Sequence, residues 1–243
     1  MERIDMLEAY VVVDLEMTGI HPKADSIIEI GAVKVKPDGM ETFQTLVHPR
    51  KPIPDAVVEL TGITNAMVES APSVDTAMEA FLAFAEELPL VGHMVITDYA
   101  FLKQWAINTN HKFQRDGLDT VHLSRKFQPE LERHTLEYLT DYYDIQRDEE
   151  HRALDDAMAT NILYRCLATE FEAENPKDFK ARPLIYKAKK QTPITVQQVR
   201  YLKEFCNYHQ IPMVEHVENL TRSEASRLTD QYIQKYGAMI RKS

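Results

Sequence analysis

Tyr10-Val11-Val12-Val13-Asp14-Leu15-Glu16-Met17-Thr18-Gly19 is the stretch from which the rest of the chain can be read. Aromatic and β-branched residues crowd its first half and no helical period runs through it, so it predicts a buried strand. Residues two apart on a strand share a face, which sets Asp14 and Glu16 side by side. Two like charges a few Å apart are costly unless a cation lies between them, and hard divalent ions such as Mg²⁺ and Mn²⁺ are the ones that prefer carboxylate oxygens. The same letters also fit a strand that has ended, with two solvated acids in a turn. Carboxylates elsewhere in the chain decide between the two.

Working outward, residues 27–35 predict a second strand, Pro37-Asp38-Gly39 a turn and residues 42–47 a third strand. Connections this short imply an antiparallel meander. Pro49, Pro52 and Pro54 break the pattern, and Leu60-Thr61-Gly62-Ile63-Thr64 reads as a compact turn. Thr76 and Glu79 form a capping-box pair ahead of a helix striped by Ala77, Phe81, Ala85 and Leu88. A fourth strand over 88–91 ends at Gly92-His93. A helix from about Asp98 follows it, then a fifth strand over 118–123 and helices from about Thr135 and Ala153. A meander followed by alternating strands and helices predicts an α/β fold with a mixed sheet flanked by helices.

The 243 residues are 44% apolar with no run of transmembrane length, which excludes a membrane-spanning protein and implies one full domain with a small appendage. Acids at Glu2, Asp5 and Glu8 stand where a secretory leader needs a basic flank, so the expected location is cytoplasmic. Cys166 and Cys206 suffice for neither a disulfide framework nor a cysteine zinc site. The net charge of −10 is unevenly spread: residues 1–170 hold 15 Lys and Arg against 30 Asp and Glu, and residues 171–243 hold 13 against 8. That asymmetry suggests an acidic module that holds metal and a basic one that holds a polyanion, although a solvated basic tail has the same composition. The proline-broken, lysine-rich segment 171–194 reads as a linker between a domain at 1–170 and a helical module at 195–243. Capping boxes at Thr195 with Gln198 and at Thr221 with Glu224 start the two helices of that module.

Two further groups accumulate chemistry. Asp98 stands at the junction of the fourth strand and its helix, a usual position for functional groups in open α/β sheets, and equally for an acid facing a helix dipole. In His151-Arg152-Ala153-Leu154-Asp155-Asp156, the histidine just outside a helix and Asp156 in its first turn can border one cleft. Asp155 lies about 100° around the helix from Asp156 and is assigned to solvent or capping. His151 by itself also fits an exposed loop histidine.

Taken in order, 13–19, 91–102 and 151–156 resemble the three exonuclease motifs of the DEDDh (DnaQ-like) 3′–5′ exonucleases, with a resemblance that spans about residues 8–170. The resemblance implies a ribonuclease H-like mixed five-stranded sheet flanked by helices. It implies that Asp14, Glu16, Asp98 and Asp156 hold two Mg²⁺ or Mn²⁺ ions and that His151 is the general base. It further implies substrate contacts from Met17, Thr18, Gly19, Thr64 and His93, a nucleic-acid substrate that is DNA rather than RNA, and a bacterial DNA polymerase as a partner. An imidazole titrating near 6.5 suits proton acceptance at cellular pH. The second motif departs from the family pattern at Met94, where Asn is usual, and at Thr97, where an aromatic is usual. Other classes compatible with the same residues are an exoribonuclease trimming RNA ends and a non-catalytic nucleic-acid or polymerase scaffold.

Overall fold

Strand β1 (Tyr10–Met17) is central because its side chains are buried on both faces, Val11 and Val13 in one apolar cluster and Tyr10 and Val12 in another. The computed structural model describes residues 7–147, 151–214 and 216–239. Strand β2 (Ile27–Lys36) pairs antiparallel with β1, and β3 (Gly39–Leu46) antiparallel with β2, which is the expected meander. Helices α1 (Asp55–Thr61), α2 (Asn65–Val68) and α3 (Val74–Ala85) then carry the chain across to β4 (Leu90–Gly92), which runs parallel to β1. After α4 (Val95–Thr109), β5 (Asp116–Asp119) joins parallel to β4. Helices α5 (Thr120–Phe127), α6 (Leu136–Tyr142) and α7 (Ala153–Phe171) follow. The mixed sheet has the order β3-β2-β1-β4-β5-β6. Met78 and Phe81 of α3 and Tyr99 and Leu102 of α4 cover one face, whereas Leu123 of α5, Leu139 of α6 and Leu163 and Tyr164 of α7 cover the other.

Four local readings are corrected. The segment expected to be a linker from residue 171 supplies a sixth strand, β6 (Arg182–Pro183), antiparallel to β5, so the sheet has six strands and not five. In this segment Phe179 is buried against Phe127, and Leu184 packs so closely on Gly117 that a Cβ there would meet it at 2.6 Å. The fifth strand stops at Asp119, whose carboxylate accepts the Val121 and His122 N–H groups and starts α5, so the alternation through Leu123 belongs to a helix. The third helix starts earlier than its Thr76 signal, because Ser73 accepts the Thr76 N–H and caps it. Helix α4 likewise begins at Val95, which places Asp98 inside its first turn. The short helix α1 has no counterpart in the sequence reading, although it ends where expected, at Gly62 with φ of 69°.

The described residues divide into two compact units, Met1–Ile107 with His111–Ala188, and Asn108–Asn110 with Lys189–Ser243. In the second, α8 (Val196–His209) and α9 (Arg222–Tyr236) both carry the expected capping boxes and pack through Leu202, Val217 and Ala225. The segments preceding the two helices are tied together by the Ile194 N–H to Leu220 carbonyl bond of 2.9 Å and the Arg222 N–H to Thr192 carbonyl bond of 2.7 Å. Among the described residues no helix is long and apolar enough to cross a membrane.

Candidate active site

Strand β1 delivers Asp14 and Glu16 to one face, opposite Gly31 and Glu29 of β2. Helix α7 can approach that face because Gly31 has no side chain: a Cβ there would lie 2.1–2.3 Å from the backbone of Ala153 and Leu154. The first turn of α7 thereby brings Asp156 to the strand, and one carboxylate oxygen each of Asp14, Glu16 and Asp156 lie within 4.8 Å of one another. Asp98, from the first turn of α4, is not one of these three; its carboxylate accepts the Leu15 N–H at 3.2 Å and its charge acts on Asp14. Arg147 forms an ion pair with Asp156. His151 is exposed, with a left-handed φ of 58°, one residue before the N-cap of α7.

Gathering acids in this way has an electrostatic cost. Burial first, and then the charges of Asp98, Asp156, Glu16 and Glu29, hold the Asp14 carboxyl well above the ordinary range. Burial, Asp156, Glu29 and Asp98 push Glu16 up to about 8. Asp98 is also pushed up to about 8, by burial against the opposing pull of its own N–H and that of Leu15. Burial raises Asp156 too, while Arg147 works the other way. Three convergent carboxylates that repel one another are the donor set a hard divalent cation satisfies, since its charge stabilises the ionised form of each.

The exonuclease family model matches residues 11–164, from the first strand into α7. The chain belongs to the exonuclease family. Its class is that of the 3′–5′ exonucleases, as the three motifs imply, and the family is dependent on divalent metal. Among relatives of this exonuclease, the DNA polymerase III epsilon subunit of Aquifex aeolicus is 35% identical over 157 residues, which are 64% of this chain and 78% of that one. A PolC-type DNA polymerase III of Caldanaerobacter subterraneus is 38% identical over 156 residues, again 64% of this chain, which spans only 11% of that polymerase. Among solved structures, an exonuclease I superimposes with a TM-score of 0.60 at 18% identity, over 71% of this chain and 42% of that one. Exonuclease X in complex with 5′ overhanging duplex DNA does so with 0.54 at 22% identity, over 67% and 92%. These two likenesses concern the fold.

Of the residues expected to touch substrate in this exonuclease, several already have internal tasks. The Thr18 hydroxyl accepts the Ser26 N–H at 2.9 Å, closing the loop after β1, and Thr64 caps α2 by accepting the Met67 N–H. Gly19 is where the Asp25 carboxylate packs, 2.5 Å from where a Cβ would stand. Met17 packs partly against the core. Both nitrogens of His93 are engaged: Nε2 donates to the His134 carbonyl at 2.9 Å, which leaves Nδ1 to accept the Thr120 hydroxyl at 2.9 Å.

Burial lowers His93 from 6.5 to about 4, so the folded protein keeps this imidazole neutral. The unfolded chain therefore binds the extra proton first, and the stability tied to His93, complete above pH 6.5, is lost as pH falls toward 4. The loss is on the order of 3 kcal/mol. Chemical denaturation at a series of pH values is expected to show it in the wild type and to show a flatter profile for His93→Gln. Equal slopes would remove His93 as the cause.

Two residues at the site escaped the sequence reading. Glu29 had a signal, since a charged residue interrupts the apolar run Ile27-Ile28-Glu29-Ile30 at a strand centre, where it is 0% exposed. Arg147 had none, because an arginine in the connection before α7 looks like any surface cation until the fold buries it.

Proposed function

We propose that this exonuclease removes nucleoside monophosphates from the 3′ end of single-stranded DNA, with Asp14, Glu16, Asp98 and Asp156 holding two Mg²⁺ or Mn²⁺ ions and His151 taking the proton of the attacking water. The observation that carries the reading is the convergence of Asp14, Glu16 and Asp156 oxygens within 4.8 Å. Asp14, Glu16, Asp98 and Asp156 would hold the ions, which when bound would supply polarisation of the scissile phosphodiester, a lowered pKa for water and counter-charge for the leaving 3′-oxygen. The carboxylates fix the position of the phosphodiester by holding its counter-charge, and Asp98 is aligned by the Leu15 N–H. His151, exposed just ahead of α7, accepts a proton through one ring nitrogen and passes it to bulk water. The likeness to a DNA polymerase III epsilon subunit supports a polymerase as partner, and the fold shared with an exonuclease X bound to DNA and an exonuclease I bound to single-stranded DNA supports DNA as substrate. The test is purified protein with Mg²⁺ or Mn²⁺ acting on matched 5′-labelled and 3′-labelled DNA and RNA oligomers. A ladder shortening from the 3′ end on DNA is expected; cleavage from the 5′ end, or of RNA alone, would overturn the direction or the substrate.

The basic second unit fits a tether for the trailing strand. Residues 189–243 hold 9 Lys and Arg against 5 Asp and Glu, and Lys189 and Lys190 stand at the start of this stretch, just after Lys187 of the first unit. Truncation must follow Ala188, because Phe179, Leu184 and Tyr186 pack in the first unit. Deleting 189–243 is expected to raise KM for a long single strand about 10-fold at low salt, less as salt rises, with no change for a dinucleotide. Identical KM values and salt slopes with and without the unit would remove it from substrate binding.

A further inference from the structure

Helix α7 lacks a cap of its own. Its N-cap is Arg152, whose side chain makes no capping bond to the helix, and the exposed N–H groups of a first turn need acceptors. The acceptor comes from a strand 124 residues away: Glu29 Oε2 takes the Ala153 N–H at 3.1 Å. The same carboxylate is forked by the Arg152 guanidinium, Nε to Oε2 at 3.2 Å and the terminal nitrogen to Oε1 at 2.8 Å, and Gln44 donates to Oε1 at 2.9 Å. Each oxygen of Glu29 thus accepts two hydrogen bonds in a site with no solvent exposure. An isolated buried carboxylate is costly, whereas one paired in both oxygens is held rigidly.

What this grip holds is the turn carrying the site. Arg152 follows His151, and its carbonyl accepts the Asp156 N–H at 3.0 Å, so Asp156 is one backbone hydrogen bond from the clamped residue. The other side of the grip is equally fixed, because Glu29 lies directly across the β1–β2 ladder from Glu16 and Gly31 admits the helix backbone two residues further on. We propose that Glu29 is a positioning residue, whose Arg152-forked carboxylate docks the start of α7 on β2 and so sets Asp156 and His151 against Asp14 and Glu16. This role rests on the reading of Asp156 as a metal ligand.

The test uses the full chain with Glu29→Gln, which keeps the size and an acceptor for Ala153, and Arg152→Lys, which keeps the charge but cannot fork. Because Arg152→Lys leaves the net charge unchanged, a defect in it reports geometry rather than the loss of negative potential near the metal. Second-sphere changes of this kind cost 10- to 100-fold, so Glu29→Gln is expected to weaken Mn²⁺ binding in calorimetry about 10-fold and to lower kcat about 100-fold, with KM for a labelled oligomer within about 3-fold and Arg152→Lys intermediate. Leu163→Ala, a core truncation in α7 away from the site, is the stability control: its Tm falls while kcat and Mn²⁺ affinity stay at wild-type values. If Glu29→Gln matches Leu163→Ala in all three readouts, Glu29 is only structural and the proposal fails. If Glu29→Gln does not fold, Arg152→Lys decides alone, and wild-type Mn²⁺ affinity and kcat in that variant overturn the proposal. An active Asp14→Ala would instead break the metal reading itself, whereas an inactive Asp14→Ala beside a wild-type-like Glu29→Gln rejects only the role of Glu29.

Discussion

Asp14→Ala is expected to lower kcat by about 10³-fold or more, because it deletes the carboxylate that the other three acids surround and with it the placement of both ions. The loss should not come from unfolding. In chelator, Asp14→Ala removes one of several mutually repelling acids, so its Tm is expected to equal or exceed that of the wild type, while the rise in Tm that Mn²⁺ gives the wild type disappears. The wild type in chelator should also behave oppositely to ordinary acid denaturation at this site. Glu16 is raised from 4.5 to about 8, so the folded protein binds the proton that the unfolded chain has released. This contribution to stability is complete below pH 4.5 and is lost as pH rises through 8. Divalent metal should cancel the slope, since it replaces the proton as the counter-charge. A wild-type rate in excess EDTA, or an Asp14→Ala protein that hydrolyses DNA normally, would end the metal reading.

His151→Gln is expected to lower kcat by about 10²- to 10³-fold, within the usual range for removal of a general base, while Mn²⁺ affinity stays within about 3-fold. The side chain is exposed and contributes no packing, so Tm should move little. The informative readout is kcat at saturating Mn²⁺, where the loss of a proton acceptor is not rescued by more metal. A variant with the wild-type rate at saturating Mn²⁺ would remove His151 from the mechanism and leave activation of water to the ions alone.

Several features of the chain were legible without the fold because they depend on neighbours in sequence. The β-branched run ahead of Asp14, the turn at Pro37-Asp38-Gly39, the capping boxes of α8 and α9 and the alternation of strands with helices are local patterns, and each stands where its pattern predicts. The pairing of Asp14 with Glu16 was legible for the same reason, since period two is a property of any strand. Where local signals competed, the reading went astray. Asp119 capped a helix that alternation had disguised as a strand, and Ser73 displaced Thr76 because its hydroxyl reaches the Thr76 N–H. A two-residue strand at Arg182–Pro183 carries no period, so only its pairing with β5 reveals it.

Local pattern nominated the candidate groups: acids on one strand face, an acid after the fourth strand, and a histidine five residues ahead of another acid. Tertiary structure alone decided how far apart they stand and in what electrostatic state. Asp156 meets Asp14 because Gly31 admits a helix whose start is gripped by Glu29, and Arg147 is an ion-pair partner of Asp156 that local sequence does not announce. Distances between residues more than a hundred positions apart depend on how strands and helices pack, and burial, which raises the carboxylate pKa values, is a property of the packed molecule and not of any segment.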